Sequence, residues 1–235
     1  MKRRIESKTI YAVTVFYIVA VTVRYFAVKT NILEGTNLYV KIIAEGLGPT
    51  LGVIIASLIF KIKFRPMTLK GNYRSWLFPS LTYWIIPIFA IPAYTLFTKN
   101  EFPVLFVFMV FIYGLLEETG WRGFLQQQLK GLPKILNIII VGILWFVWHL
   151  NFNMSIENLL FFGLLIFGTW GLGELANATN SLLVVAAFHS LNNVKSQNNL
   201  IFILLLFAIW IVVTVYVEKR KKRKIRQAVE NIEVK

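Results

Sequence analysis

Residues 102–128 read Phe102-Pro-Val-Leu-Phe-Val-Phe-Met-Val-Phe-Ile-Tyr-Gly-Leu-Leu-Glu117-Glu118-Thr-Gly-Trp-Arg122-Gly-Phe-Leu-Gln-Gln-Gln128. An unbroken apolar run reaches Leu116, two adjacent glutamates and an arginine follow without any turn signal, and apolar character resumes at Phe124. The run lacks the alternating pattern of a barrel strand, and the whole block of 27 residues exceeds the roughly 20 that a helix needs to cross a hydrocarbon core. It therefore reads as a membrane helix that carries buried charge.

Working outward, seven more apolar blocks occur at about 9–28, 38–60, 75–97, 135–150, 156–175, 181–194 and 200–217. The expected fold is all-α: a polytopic membrane bundle of about eight transmembrane helices. Residues 1–217 would form one domain with its motif-bearing core at 102–194, and residues 218–235 a basic cytoplasmic tail. The blocks at 135–150 and 181–194 are short for a full span, so they must tilt or continue into the polar residues beside them. Composition agrees: 57% of the 235 residues are hydrophobic, only 15% are charged, and mean hydropathy is +0.66. These values exclude a water-soluble enzyme. With no cysteine, disulfides, a thiol nucleophile and a thiolate metal site are excluded too.

The net charge of +14 does not point to nucleic acid, because the basic residues flank apolar blocks. Lys2, Arg3, Arg4 and Lys8, then Lys61 to Arg74, then Lys130 and Lys134, then the run from Lys219 to Lys235, all fall on one side if the N-terminus is cytoplasmic. Both termini are expected on the cytoplasmic side of a plasma membrane, with the first block an uncleaved anchor. The Lys-rich and Asn-rich composition points to a bacterial one.

An ionisable group at membrane depth costs a few kcal/mol, so each is a functional-site hypothesis. Glu117, Glu118, Arg122, His149 and His189 all fall within blocks, as do Arg24, Glu45 and Glu174. On a helix Glu118 and Arg122 share a face, with the acid on the favoured N-terminal side. Glu117 points about 100° away and has no basic residue at helical spacing, which leaves it free to accept a proton. His149 closes the aromatic run Trp145-Phe-Val-Trp148. His189 and Asn193 share one helical face and can present two donors together, as oxyanion stabilisation requires. Read singly, each of these features is equally a packing or ion-pair contact between helices.

Together, Glu-Glu-x-x-x-Arg at 117–122, aromatic-x-x-x-His at 145–149 and His-x-x-x-Asn at 189–193 resemble the CAAX protease and bacteriocin-processing (CPBP, also ABI) family of intramembrane endopeptidases. The resemblance covers residues 117 to 193 in order and spacing. It departs at Trp145, where the family usually has Phe, and a packing role is expected there. The resemblance implies that Glu117 activates water, His149 helps to hold it, His189 and Asn193 stabilise the oxyanion, and Glu118 with Arg122 form a structural ion pair. It implies hydrolysis of a peptide bond in a membrane-associated peptide or protein, without an acyl-enzyme.

Metal use is open at this level. Glu117, His149 and His189 are the two-histidine, one-carboxylate type that holds a divalent metal such as zinc, yet no local signature such as His-Glu-x-x-His is present. Ser190 and Thr119 adjoin the motifs without a base at triad spacing. A non-catalytic membrane scaffold or bacteriocin self-immunity factor is the alternative, and a transporter using Arg24, Glu45 and Glu174 a third reading. Membrane lipid and a peptide or protein substrate are the expected partners. One difficulty stands: if residue 102 is outside and 135 inside, helical rise puts Glu117 and His149 at different depths.

Overall fold

The computed structural model describes residues 6–62, 104–193 and scattered positions between 208 and 230. All regular elements among them are helical. Helix α1 spans Ser7–Lys29 and α2 spans Leu38–Phe60; α3 spans Val104–Glu118 and runs on through a π-helical turn, Thr119–Leu125, and a last turn, Gln126–Gln128. Helix α4 is Lys134–Trp148, α5 is Ile156–Thr179 and α6 is Leu182–Asn193. Three of these, α1, α2 and α5, are long and apolar enough to cross a membrane, and α4 is a shorter apolar helix. The chain is thus an all-α membrane bundle. The expected count of eight is not reproduced: the described residues hold six helices of 12 to 24 residues. The expected block at 75–97 lies outside the described residues, and that at 200–217 lies largely outside them.

Local chemistry sets the helix ends. The Asn37 side chain accepts from the Tyr39 N–H at 2.8 Å to cap α2, and Ser155 accepts from Asn158 N–H to cap α5. Lys61 (φ 48°) and Asn180 (φ 52°) end α2 and α5 in the left-handed conformation, each donating its N–H back into the last turn. Pro133, which lacks an N–H and so suits a helix start, precedes α4.

Small residues fix the packing of α1 on α2. A Cβ built on Gly48 would stand 2.5 Å from the Ala20 carbonyl oxygen, and one on Gly52 would stand 2.5 Å from that of Phe16. One turn apart, these two glycines let the backbones approach as closely as membrane helices can. Polar cross-ties hold the other helices: Thr50 Oγ1 donates to Leu116 O (2.7 Å), Tyr17 to Leu144 O (3.0 Å) and the Trp148 indole to Ala20 O (3.0 Å). Helix α3 lies against α2 and α6, while α4 lies against α5.

The return of the chain between α3 and α4 positions the site. Gln126 and Leu129 are buried, and Asn137 donates from Nδ2 to Gln126 O at 3.1 Å, so the connection is part of the packed bundle. Glu117 lies eleven residues before Gln128 and Trp145 eleven after Lys134, which brings them to one level. The depth mismatch expected between Glu117 and His149 does not separate them: Trp145, one turn before His149, reaches Glu117, and Glu117 and His149 line one cavity.

Candidate active site

Glu117 occupies the last turn of α3 and is fully buried. Its Oε2 accepts two indole N–H groups, from Trp121 at 3.1 Å and from Trp145 at 2.8 Å. The Trp121 contact spans four residues of the same chain segment, and the Trp145 contact reaches across from α4. Oε1 meets no hydrogen-bond geometry among the described residues, although the Tyr113 hydroxyl is close enough to interact with this carboxylate. Two donors on one oxygen fix the carboxylate at the wall of the cavity.

Glu118 is also fully buried, and its Oε1 is shared. Arg122 Nη1 donates to it at 2.9 Å, and His189 Nδ1 lies 2.7 Å away. The expected ion pair is present, but it is one arm of a triad that also grips His189. The guanidinium of Arg122 stacks over the Trp145 ring, 4.3 Å from its centroid, and Nη2 donates to Gly168 O at 3.4 Å. Glu118 thereby ties α3 to α6, and Arg122 ties α3 to α5.

The two histidines present different atoms. His149, at the end of α4, directs Nδ1 at the Trp145 carbonyl oxygen, 2.8 Å away. Since a carbonyl only accepts, Nδ1 carries the proton and neutral His149 offers a lone pair on Nε2. His189 faces a carboxylate through Nδ1, so that nitrogen donates as well. Tyr113, Glu117, Trp145, His149, His189 and Asn193 line one cavity of about 330 Å³, whose opposite wall is the apolar stretch Phe161 to Leu172 of α5. All four residues that the sequence pointed to as chemically active, Glu117, His149, His189 and Asn193, thus open on one space.

The indoles escaped the sequence reading. Trp145 was expected to pack, but it also donates a hydrogen bond to Glu117 and stands against both imidazoles, 5.2 Å from His189 and 6.1 Å from His149 between ring centroids. A donor four residues after Glu117, Trp121, was the legible sign of the same device. Neither neighbouring hydroxyl is poised for attack: Ser190 donates to Ala187 O and Thr119 to Leu115 O, within their own helices.

The metal reading does not fit these residues. Among the described residues no three His, Asp or Glu side chains converge closely enough to hold an ion, Glu117, His149 and His189 included. The Glu117 oxygen that meets α4 is already engaged by two indole donors.

The remaining buried charges are paired. Arg24 meets Glu45 at 3.1 Å and lies over the Trp148 ring, 4.6 Å from its centroid. Glu174 meets Lys134 at 3.0 Å. None of these four side chains lines the cavity, although the Arg24–Glu45 pair is near enough to act electrostatically on Tyr113 and Glu117.

With this geometry established, residues 99–195 match the family model described as Type II CAAX prenyl endopeptidase Rce1-like. That segment contains the three motifs and every residue of the cavity, and a membrane protease is the kind of protein it supports. No curated protein matches the chain.

Proposed function

We propose, from the premise that residues 99–195 match the Rce1-like family of CPBP proteases, that this protein is an intramembrane endopeptidase in which Glu117 activates a water for attack on a peptide bond. The observation that carries this reading is the buried Glu117 carboxylate, held by two indole donors on Oε2 and lining one cavity with His149, His189 and Asn193.

In the proposed step Glu117 takes one proton from water, while the remaining O–H donates a hydrogen bond to His149 Nε2. The hydroxide oxygen bonds to the scissile carbonyl carbon, and the displaced electron pair becomes an oxyanion. The Asn193 side-chain amide and His189 Nε2–H donate to that oxyanion, fixed donors being strongest where water is scarce. His189 Nδ1 already serves Glu118, so Nε2 donates only from the imidazolium. That state balances the site: Glu117 and Glu118 carry two negative charges, Arg122 and His189 two positive ones. Glu117 then passes its proton to the leaving nitrogen as the C–N bond breaks, and no covalent enzyme intermediate forms. No metal enters the scheme.

The substrate class proposed is a membrane-associated peptide or protein, prenylated only if the host is eukaryotic, processed in a bacterial plasma membrane with both termini of the enzyme in the cytoplasm. The test compares, by mass spectrometry, membrane and secreted peptides of cells producing equal amounts of wild type or Glu117→Gln. Cleavage products found only with wild type are expected. Identical profiles, with both proteins folded, would favour the non-catalytic scaffold.

A further inference from the structure

A second cavity, of about 430 Å³, shares no residue with the first. Helix α5 presents Gly168 and Leu172 to the catalytic cavity, and Thr169, Gly173 and Glu174 to this one. It lies where the chain turns between α3 and α4, and Gln126, Lys130, Lys134 and Asn137 complete its polar wall. This is the end of the bundle whose lysines predict the cytoplasmic side. Its volume is that of a small-molecule site, not of a packing defect.

Two buried oxygens there have no hydrogen-bond partner: Gln126 Oε1, on a side chain 9% exposed, and Thr169 Oγ1, on one 1% exposed. The Gln126 amide lies flat on α5: Nε2 donates to Gly173 O at 3.4 Å, and a Cβ on Gly173 would stand only 3.1 Å from Oε1. An unsatisfied buried polar atom costs about 1–3 kcal/mol, which a bound ligand relieves. Gln126 Oε1 can only accept, so it calls for a hydroxyl or ammonium hydrogen. Thr169 can donate to an ester or phosphate oxygen.

Charge narrows the choice. Glu174 is matched by Lys134, and Lys130 has no ion pair among the described residues, so the wall carries a net charge of +1. A phosphodiester with a neutral hydroxylated end balances that charge, whereas a zwitterionic headgroup leaves it standing. Leu132 and Trp170 supply apolar contact beside the polar groups, and basic pockets between helices at this membrane level suit anionic headgroups.

We infer that this cavity binds the phosphate and hydroxylated headgroup of an anionic glycerophospholipid, with Lys130 on the phosphate, Thr169 on its ester oxygen and Gln126 on the headgroup hydroxyl. The inference does not depend on the hydrolase reading. In the test, binding of short-chain phosphatidylglycerol, phosphatidylethanolamine and phosphatidylcholine to the full-length detergent-purified protein is measured by native mass spectrometry and by thermal unfolding. Glycerol 3-phosphate and inorganic phosphate serve as soluble arms. Phosphatidylglycerol is expected to bind about tenfold tighter than the other two lipids. Lys130→Gln, at an exposed position, should weaken it about fivefold, as loss of one lysine near anionic lipid does. The isosteric Thr169→Val should weaken it similarly, with the unfolding temperature in lipid-free detergent equal or higher, because a buried hydroxyl oxygen without a partner is removed. Equal binding of phosphatidylcholine, full phosphatidylglycerol selectivity in Lys130→Gln, or soluble phosphate binding as tightly as lipid would each overturn the proposal.

Discussion

The indole nitrogen of Trp145 stands 2.8 Å from Oε2 of Glu117 across 28 residues of chain, so a residue expected only to fill space holds a carboxylate that lines the cavity. Trp145→Phe retains a ring and removes this donor. A hydrogen bond to a charged group contributes about 1.5–3 kcal/mol, so kcat should fall roughly ten- to a hundredfold. KM should change little, because the indole N–H serves the carboxylate and not the substrate. Steady-state kinetics on a peptide substrate from the Glu117→Gln comparison checks this. A rise in KM at unchanged kcat would show that Trp145 acts by lining the cavity.

Glu118 and Arg122 form a buried pair, both fully shielded from solvent. Removing one partner strands the other charge, at a cost of about 3–5 kcal/mol. Arg122→Met and Glu118→Leu should each unfold in detergent at markedly lower temperature than wild type. The double variant should regain most of that loss, because no lone charge remains. It should stay inactive, since His189 has lost its anchor at Glu118 Oε1. Thermal unfolding and peptide cleavage on the same four proteins separate the two roles.

Charge exchange at Arg24 and Glu45 tests the second buried pair. Arg24→Glu places two carboxylates together and also loses the contact over Trp148, so it should destabilise the bundle. Arg24→Glu with Glu45→Arg should recover a substantial part of the unfolding temperature. No recovery would mean that the stacking on Trp148 dominates the pair.

Gly52 permits the contact of α1 with α2, and a Cβ there would meet the Phe16 carbonyl oxygen at 2.5 Å. In an uncrowded helix, Gly→Ala gains about 1 kcal/mol. Here overpacking of about 1–3 kcal/mol opposes that gain, and Gly52→Ala should lower the unfolding temperature. Gly163, whose Cβ would meet nothing within 4 Å, is the control in the same assay and should be unaffected or stabilised as Ala.

Chelation addresses the metal question directly. The side chains that a metal would need do not converge among the described residues, so purified enzyme should retain its activity after dialysis against EDTA. Loss of activity restored specifically by zinc would refute the proposed water activation by Glu117 alone.

Much of this was legible before any coordinates. Continuous apolar blocks predict membrane helices, and their bounds fall within a few residues of α1, α2, α4, α5 and α6, because burial in lipid leaves little choice but a helix. Helical spacing predicted the Glu118–Arg122 pair directly, since partners four residues apart need no tertiary information. What stayed hidden required contact between helices. The grip of Glu118 on His189 spans 71 residues, and the donation by Trp145 arises from the equal arms of the α3–α4 turn. The π-helical turn at Thr119–Leu125 was hidden as well. Within it, Gly120 presses so close to Pro49 that a Cβ would stand 2.4 Å from the proline's own.

Helix α4 has a consequence for the surrounding bilayer. Its 15 residues rise only about 22 Å, against a hydrocarbon layer near 30 Å that α1, α2 and α5 are long enough to match. Lipid that seals around the long helices has to pinch inward beside α4, where the exposed Asn151 and Asn153 follow its end. Thinning there would bring headgroup water toward the end of α4, where His149 stands two residues before Asn151. Under the proposed hydrolysis, whose co-substrate is water, a helix too short for its membrane would supply it from the headgroup layer.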